Sequence, residues 1–382
     1  MQIPFHKTHT TDEEIEVATD AIKSGWLTMG PKVLEFENKF KEYIKVPEAV
    51  AVNSATAALH LALKAIGLQR DDEVIVPTNT FVATAEVITY FDAIPVLCDI
   101  EYDTHNIDVS KIESFITNKT KAIIPVHFAG QPCDMDEIYD IAQKYNLKVI
   151  EDAAHAIPSS YKGTKIGALK NSDITCFSFY ATKTLSTGEG GMATTFNSDY
   201  SKNIKVNRLH GISKDAWDRY ATKVAWYYDI IDNGNKYNTT DINASIGLVQ
   251  LKKQDKLRDK RVYIAKKYIE AFKNNKNIIL PFVKDDRTTS WHLFVIKIKD
   301  RDETIEKLKE LDIGTSVHFI PIHKHTYYKN TYGYKNEEYS IANKVFDESL
   351  SLPIYSDMND IEIDYVIKKV KEVLEENKNA IK

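Results

Sequence analysis

Sulfur is scarce in this chain. Its 382 residues include three cysteines, Cys98, Cys133 and Cys176, an odd number without a CxxC pair, which argues against a disulfide framework and a thiolate zinc site. There is no run of about 18 uninterrupted apolar residues, so no bilayer-spanning helix is expected. The opening MQIPFHKTHTTDEEIE has no apolar stretch of the signal-peptide kind. GxGxxG after a strand, the Walker A sequence and HExxH do not occur. Positive charge is not in excess: 50 Lys and Arg stand against 55 Asp and Glu, a formal net charge of -5, which gives no overall attraction to nucleic acid or an anionic membrane. A cytoplasmic protein with no nucleic-acid or membrane partner is expected. Gly (14) and Pro (11) are modest against 43% hydrophobic residues, which excludes collagen-like, low-complexity and disordered classes.

What is present is a folded, two-part pattern. The length favours one large domain and one smaller. Thr11-Asp12-Glu13-Glu14 forms a capping box for a helix running to Ser24, with Gly25 as its stop. Pro31 opens a second helix, with Val33, Phe36, Phe40 and Tyr43 at helical spacing. From about residue 49 to 151 short apolar runs (49–52, 73–76, 94–97, 122–126, 147–150) alternate with segments of crossover-helix length (54–66, 80–91, 108–116, 134–145). This is the pattern of an α/β sheet, largely parallel. Runs at 174–179 and 191–196 join it, and a long helix is expected over 241–273. Beyond lie an apolar run at 291–298, a helix near 302–311, a run at 313–319 and a last helix at 359–375, read as a small α+β domain. The division is placed at 1–250 and 251–382.

Three local features carry chemistry. Small polar residues Asn53-Ser54-Ala55-Thr56 stand where a strand becomes a helix, a place where backbone N–H groups and the helix dipole favour a phosphate. By itself Ser54 reads as an ordinary cap, and the context must decide. Glu151-Asp152-Ala153-Ala154-His155 follows the strand at 147–150, at the carboxyl edge where open α/β sheets bind ligands. A buried Asp152 there pairs with a cationic heterocycle, or else caps a turn. Lys183 follows an apolar strand and precedes the glycine-rich Ser186-Thr187-Gly188-Glu189-Gly190-Gly191; a desolvated lysine is a nucleophile toward aldehydes. A phosphate cradle, a strand-end Asp and a nucleophilic lysine together are the contacts pyridoxal 5'-phosphate needs.

The segments NSATAALHLAL (53–63), DEVIVPTNTFVATA (72–85), NKTKAIIPVHFAGQPCDMD (118–136), VIEDAAHA (149–156), FSFYATKTLSTGEGGM (177–192), NKYNTTDINASIGLVQL (235–251) and VHFIPIHKHTYY (317–328) resemble the DegT/StrS family of sugar aminotransferases over nearly the whole chain. The resemblance implies an aspartate aminotransferase-like fold (pyridoxal phosphate fold type I), with a mixed, mostly parallel sheet and a smaller C-terminal α+β domain. It places the Schiff-base lysine at Lys183 and the pyridinium-binding carboxylate at Asp152. Ala55, Thr56 and Ser178 fall at the cofactor phosphate, Phe81 at the aromatic position stacked on the ring, and His155 near the phenolic oxygen. Asn238 matches an asparagine supplied to the phosphate by the neighbouring subunit, so a homodimer with shared active sites is implied. Related dehydratases carry histidine in place of this lysine, which favours transamination here.

The branch most resembled aminates C4 of nucleotide-linked 4-keto-6-deoxy sugars with L-glutamate as donor, for surface polysaccharide or glycan synthesis. A 3-keto-sugar aminotransferase and a non-catalytic, cofactor-holding regulator are the alternatives. Thr28, in the loop Trp26–Pro31, and His318 are weaker substrate candidates. His318, His323 and His325 lack accompanying carboxylates, and no metal site is expected.

Overall fold

The computed structural model describes residues 1–213 and 228–380, with side chains described as far as residue 376. In chain order its strands are β1 (Glu48–Val52), β2 (Glu73–Pro77), β3 (Ile94–Cys98), β4 (Thr120–Ile123), β5 (Lys148–Asp152), β6 (Ser160–Tyr161), β7 (Thr164–Lys165), β8 (Ile174–Ser178), β9 (Gly191–Thr195), β10 (Arg287–Thr288), β11 (Phe294–Lys297) and β12 (Ser349–Leu352). The helices are α1 (Asp12–Lys23), α2 (Pro31–Ile44), α3 (Ala55–Ala65), α4 (Val82–Thr89), α5 (Val109–Ile112), α6 (Met135–Tyr145), α7 (Ser198–Asn207), α8 (Asp241–Phe272), α9 (Arg301–Glu310), α10 (Thr326–Tyr332), α11 (Ser340–Glu348) and α12 (Asp360–Ala380).

The apolar strands are continuous because both faces of the sheet are covered. Successive side chains point to opposite faces. Val50, Val52, Val74, Val76, Ala122, Ile124 and Ile150 accordingly join one apolar cluster, while Ala49, Ala51, Ile75, Ile123 and Val149 join another on the opposite face. The seven strands lie in the order β1-β9-β8-β5-β4-β2-β3. β9 pairs antiparallel with both β1 and β8, and the remaining pairs are parallel. The expected α/β class with a mixed, mostly parallel sheet is the one observed.

Two helices show why the sequence folds this way locally. α3 is apolar almost all round, burying Ala57, Ala58, Leu59, Leu61, Ala62 and Leu63, as befits a helix covered by sheet and neighbouring helices. α2 instead has a stripe: Val33, Phe36, Phe40 and Ile44 are buried. Phe40 meets Phe177 and Phe179 with ring centroids 5.3 and 5.6 Å apart. The α2 N-terminus is capped from far away, by the buried Asp241 carboxylate accepting from the N–H groups of Gly30 (2.8 Å), Lys32 (3.1 Å) and Val33 (3.1 Å).

α8 carries residues of two cores. Its first half gives Ala244 and Leu251 to the cluster under the sheet. Its second half gives Ile264, Ala265, Tyr268 and Phe272 to a separate cluster with Phe294, Leu308, Leu350 and Val366, which Ile3 also enters.

The structure departs from the expectations in places. The helix foreseen over 108–116 is split into α5 and a 3-10 turn at Glu113–Phe115. The run at 313–319 forms no ladder strand, only single bridges of Ile313 with Ile3 and of Ser316 with Ser351, because its residues pair with two different segments. The short strands β6, β7, β10 and β12 and the helices α7, α10 and α11 were not foreseen. α7 had a signal in Asn197, whose side chain accepts from the N–H groups of Asp199 and Tyr200.

Candidate active site

The site lies where β1, β2, β5 and β8 end. Their shared direction brings four strand-to-loop junctions to one edge of the sheet, the crevice where α/β ligands bind. At the first junction Ser54 caps α3, accepting from the Ala57 N–H (3.1 Å), and its carbonyl takes the Ala58 N–H (3.1 Å). The N–H groups of Ala55 and Thr56 have no protein partner among the described residues. They are the free donors of a helix N-terminus and suit a phosphate. Gly191, which opens β9, packs against this turn. A Cβ there would lie 2.4 Å from the Ser54 carbonyl oxygen and 2.8 Å from the Ala55 nitrogen, so only glycine allows the approach.

Asp152 is the last residue of β5 and is 5% exposed. Its Oδ2 accepts from the Thr84 hydroxyl at 2.7 Å and its Oδ1 from the Ala154 N–H at 3.1 Å. Thr84 belongs to α4 and is backed in turn by the Thr80 hydroxyl at 2.8 Å. The carboxylate is thus held in a fixed plane at the cavity wall. A buried carboxylate with two neutral donors is matched to a cationic partner.

Lys183 follows β8. The Lys183 N–H donates to the Tyr180 carbonyl at 2.8 Å, closing a turn over 180–183. Burial lowers the amine from 10.5 to about 8, and the Asp152 charge opposes that shift. Its Nζ is 3.5 Å from His292 Nε2.

Around it lies a cavity of about 560 Å³ lined by Ala55, Thr56, Phe81, Asp152, His155, Ser178, Lys183 and His318, and also by Phe5, His6, His292 and Phe319. Its volume suits a cofactor or drug-sized ligand. Four imidazoles face it. Burial and the Lys183 charge push His155 and His292 well below the usual range. His318 is pushed to about 4 for the same two reasons, and His6 to about 4 by burial first and then by Arg261. All four are neutral at neutral pH and so add no positive charge beside the Lys183 amine. His155 and His292 pack with their rings tilted and their centroids 4.3 Å apart.

Of the residues singled out in the sequence, eight therefore meet on one cavity. Thr28 and Asn238 do not line it. The Thr28 carbonyl accepts from the Asp241 N–H at 3.0 Å, and Asn238 Nδ2 donates to the Thr239 carbonyl at 3.2 Å. His323 is structural, bonded to the Thr78 hydroxyl at 2.7 Å and to Asn343 at 3.1 Å, and among the described residues no group of three or more His, Cys, Asp or Glu is arranged for a metal ion. The sequence reading missed Thr84, His6, His292 and Phe319. Only Thr84 had a local signal, a threonine in the first turn of a helix following the strand-end motif.

The sequence profile described as the DegT/DnrJ/EryC1/StrS aminotransferase family matches residues 8–371. The chain belongs to this family. Among the relatives of this aminotransferase is the uncharacterized protein MJ1066 of Methanocaldococcus jannaschii, 50% identical over 373 residues and covered to 96% on both sides. The spore coat polysaccharide biosynthesis protein SpsC of Bacillus subtilis is 46% identical over 379 residues, with 97% of each chain covered. A solved structure described as "Putative sugar aminotransferase Spr1654 from Streptococcus pneumoniae, PMP-form" superposes with a TM-score of 0.92 at 35% identity, covering 98% of this chain and 100% of that one. The same protein in its PLP-form gives 0.91.

Proposed function

We propose that this enzyme transfers an amino group from L-glutamate to C4 of a nucleotide-linked 4-keto-6-deoxy sugar, as a homodimer, for surface polysaccharide or glycan synthesis. The coarser activity is that of its family: it is a pyridoxal phosphate-dependent sugar aminotransferase. The finer reading is supported by the wording of its motifs, and its chemistry rests on one observation, that Lys183, Asp152 and the free N–H groups of Ala55 and Thr56 face one cavity.

The residues present fit the cofactor. Ala55, Thr56 and Ser178 would take the phosphate, Asp152 the ring nitrogen, Phe81 a ring face, and Lys183 the aldehyde; Asn238 would reach the phosphate of the neighbouring subunit. When bound, pyridoxal phosphate supplies an aldehyde that takes up an amine and a ring that stores an electron pair. The chain does the rest. Asp152, held by Thr84 and Ala154, keeps positive charge on the ring nitrogen. Lys183 Nζ would take the proton from the donor's α-carbon and, in the second half-reaction, deliver one to the sugar carbon. The neutral His155 would present a hydrogen-bonding edge to the cofactor's phenolic oxygen and the neutral His318 one to the substrate, without adding charge near that nitrogen. Phe5, Phe319 and Leu293 line the same cavity and limit water around it.

The test is a panel of UDP-, dTDP- and GDP-linked 4-keto and 3-keto sugars incubated with holoenzyme and ¹⁵N-glutamate, with products read by NMR. Label at C4 of one 4-keto sugar is expected. Label at C3, or 2-oxoglutarate release with no sugar in the panel aminated, overturns the C4 reading.

A further inference from the structure

The turn that carries Lys183 is held from outside by the first residues of the chain. In residues 180–183 the terminal groups are bonded to each other, while the carbonyl of Ala181 points away. It accepts two side-chain hydrogen bonds, from His6 Nε2 at 3.0 Å and from the Thr8 hydroxyl at 2.7 Å. A carbonyl only accepts, so His6 is the Nε2–H tautomer. Its pKa near 4 keeps that proton arrangement across the working range.

The segment bearing these two donors is anchored at the other end in the C-terminal core. Ile3 is fully buried there. Its N–H donates to the Asp312 carbonyl and its carbonyl accepts from the Gly314 N–H, both at 2.8 Å. Gly314 is required for this contact, since a Cβ would stand 2.5 Å from the Phe5 nitrogen. Phe5 then stacks on His318 at 5.6 Å. Behind Thr8, the His9 carbonyl accepts from Gln250 of α8 at 2.9 Å. Residues 3–9 are therefore a strap between the core that supplies His292 and His318 to the cavity and the turn that supplies Lys183.

The turn does not hold its own position. Ala181 and Thr182 are not in the left-handed region, and flipping their shared peptide would force the β-branched Thr182 to positive φ, so the turn's shape is set locally. Its placement against the C-terminal core is tied by the two bonds to Ala181, beside the 3.5 Å contact of Lys183 Nζ with His292.

We propose that His6 and Thr8 are positioning residues for Lys183, registering the lysine turn against the C-terminal wall of the cavity. The inference rests on the assignment of Lys183 made above. Thr8 does not line the cavity, so its role is read without a direct effect on substrate. In the holoenzyme, Thr8→Val is expected to lower kcat of the glutamate half-reaction about tenfold, the worth of roughly one hydrogen bond, with KM for glutamate within about twofold. Thr8→Ser restores the wild-type value, and the double variant Thr8→Val with His6→Phe falls by about a further tenfold. The pH at which the amine titrates, read from the pH dependence of the half-reaction, moves in Thr8→Val and returns in Thr8→Ser.

A Thr8→Val enzyme with wild-type kcat and pH profile and only a lowered melting temperature overturns the proposal, as does a Thr8→Ser enzyme no better than Thr8→Val. The single variant carries the test even if the double does not fold. Lys183→Met separates the two claims. If it is inactive while Thr8→Val is normal, the strap role alone fails; if it still transaminates, the lysine assignment fails first.

Discussion

The depressed pKa of Lys183 has two measurable consequences. The first concerns cofactor capture. An amine moved from 10.5 to about 8 by burial is about one-tenth neutral at pH 7, against about 0.03% for an ordinary lysine, a gain of about 300-fold in nucleophile. The rate at which apoenzyme takes up pyridoxal phosphate, followed by stopped-flow absorbance, should rise about tenfold per pH unit below 8 and level off above it. The second concerns stability. Between about pH 8 and 10.5 the unfolded chain keeps a proton on this amine that the folded protein has lost, so stability rises with pH through that window. The cost is complete below pH 8 and amounts to about 3 kcal/mol. Apo Lys183→Met should therefore be more stable than wild type by about that much at pH 7 in urea unfolding, with the difference vanishing above pH 10.5. A capture midpoint near 10, or a Met variant less stable than wild type at pH 7, refutes the claim that burial governs this lysine.

Two further substitutions probe the scaffold. Gly191→Ala drives a methyl into the Ser54–Ala55 peptide and should weaken pyridoxal phosphate binding at least tenfold by equilibrium titration, as roughly 1.4 kcal/mol of lost phosphate contact would do; unchanged affinity would show that the α3 N-terminus does not hold the phosphate. Phe40→Ala opens a cavity between Phe177 and Phe179, where Phe40 is fully buried, and should cost about 3–5 kcal/mol in denaturant unfolding; a loss under about 1 kcal/mol would mean the site collapses and that the ring cluster is not the prop it is taken to be.

How much of this was legible in the sequence follows from how far each contact reaches along the chain. The strands were readable because a sheet covered on both faces demands unbroken apolar runs, and the helices because their caps and stripes are local. Lys183, Asp152, Ala55 and Thr56 were readable because each stands at a strand end, where chain direction alone brings it to the binding edge. The 3-10 break after α5 and the missing strand at 313–319 were not, since packing of other segments decided both.

Sequence thus determined the fold class and picked out the residues proposed as nucleophile, carboxylate and phosphate cradle, all features carried by short windows with their own periodicity or turn chemistry. Tertiary structure alone brought His6, His292 and Phe319 to the amine's cavity and Thr8 to its turn. His292 comes from 109 residues beyond Lys183, and Thr8 from 173 residues before Ala181. No local pattern marks such partners, because a lone histidine or threonine acquires its task only from the surface it is packed against. The pKa of Lys183 belongs to the same class: burial sets it, and burial is a property of the assembled chain.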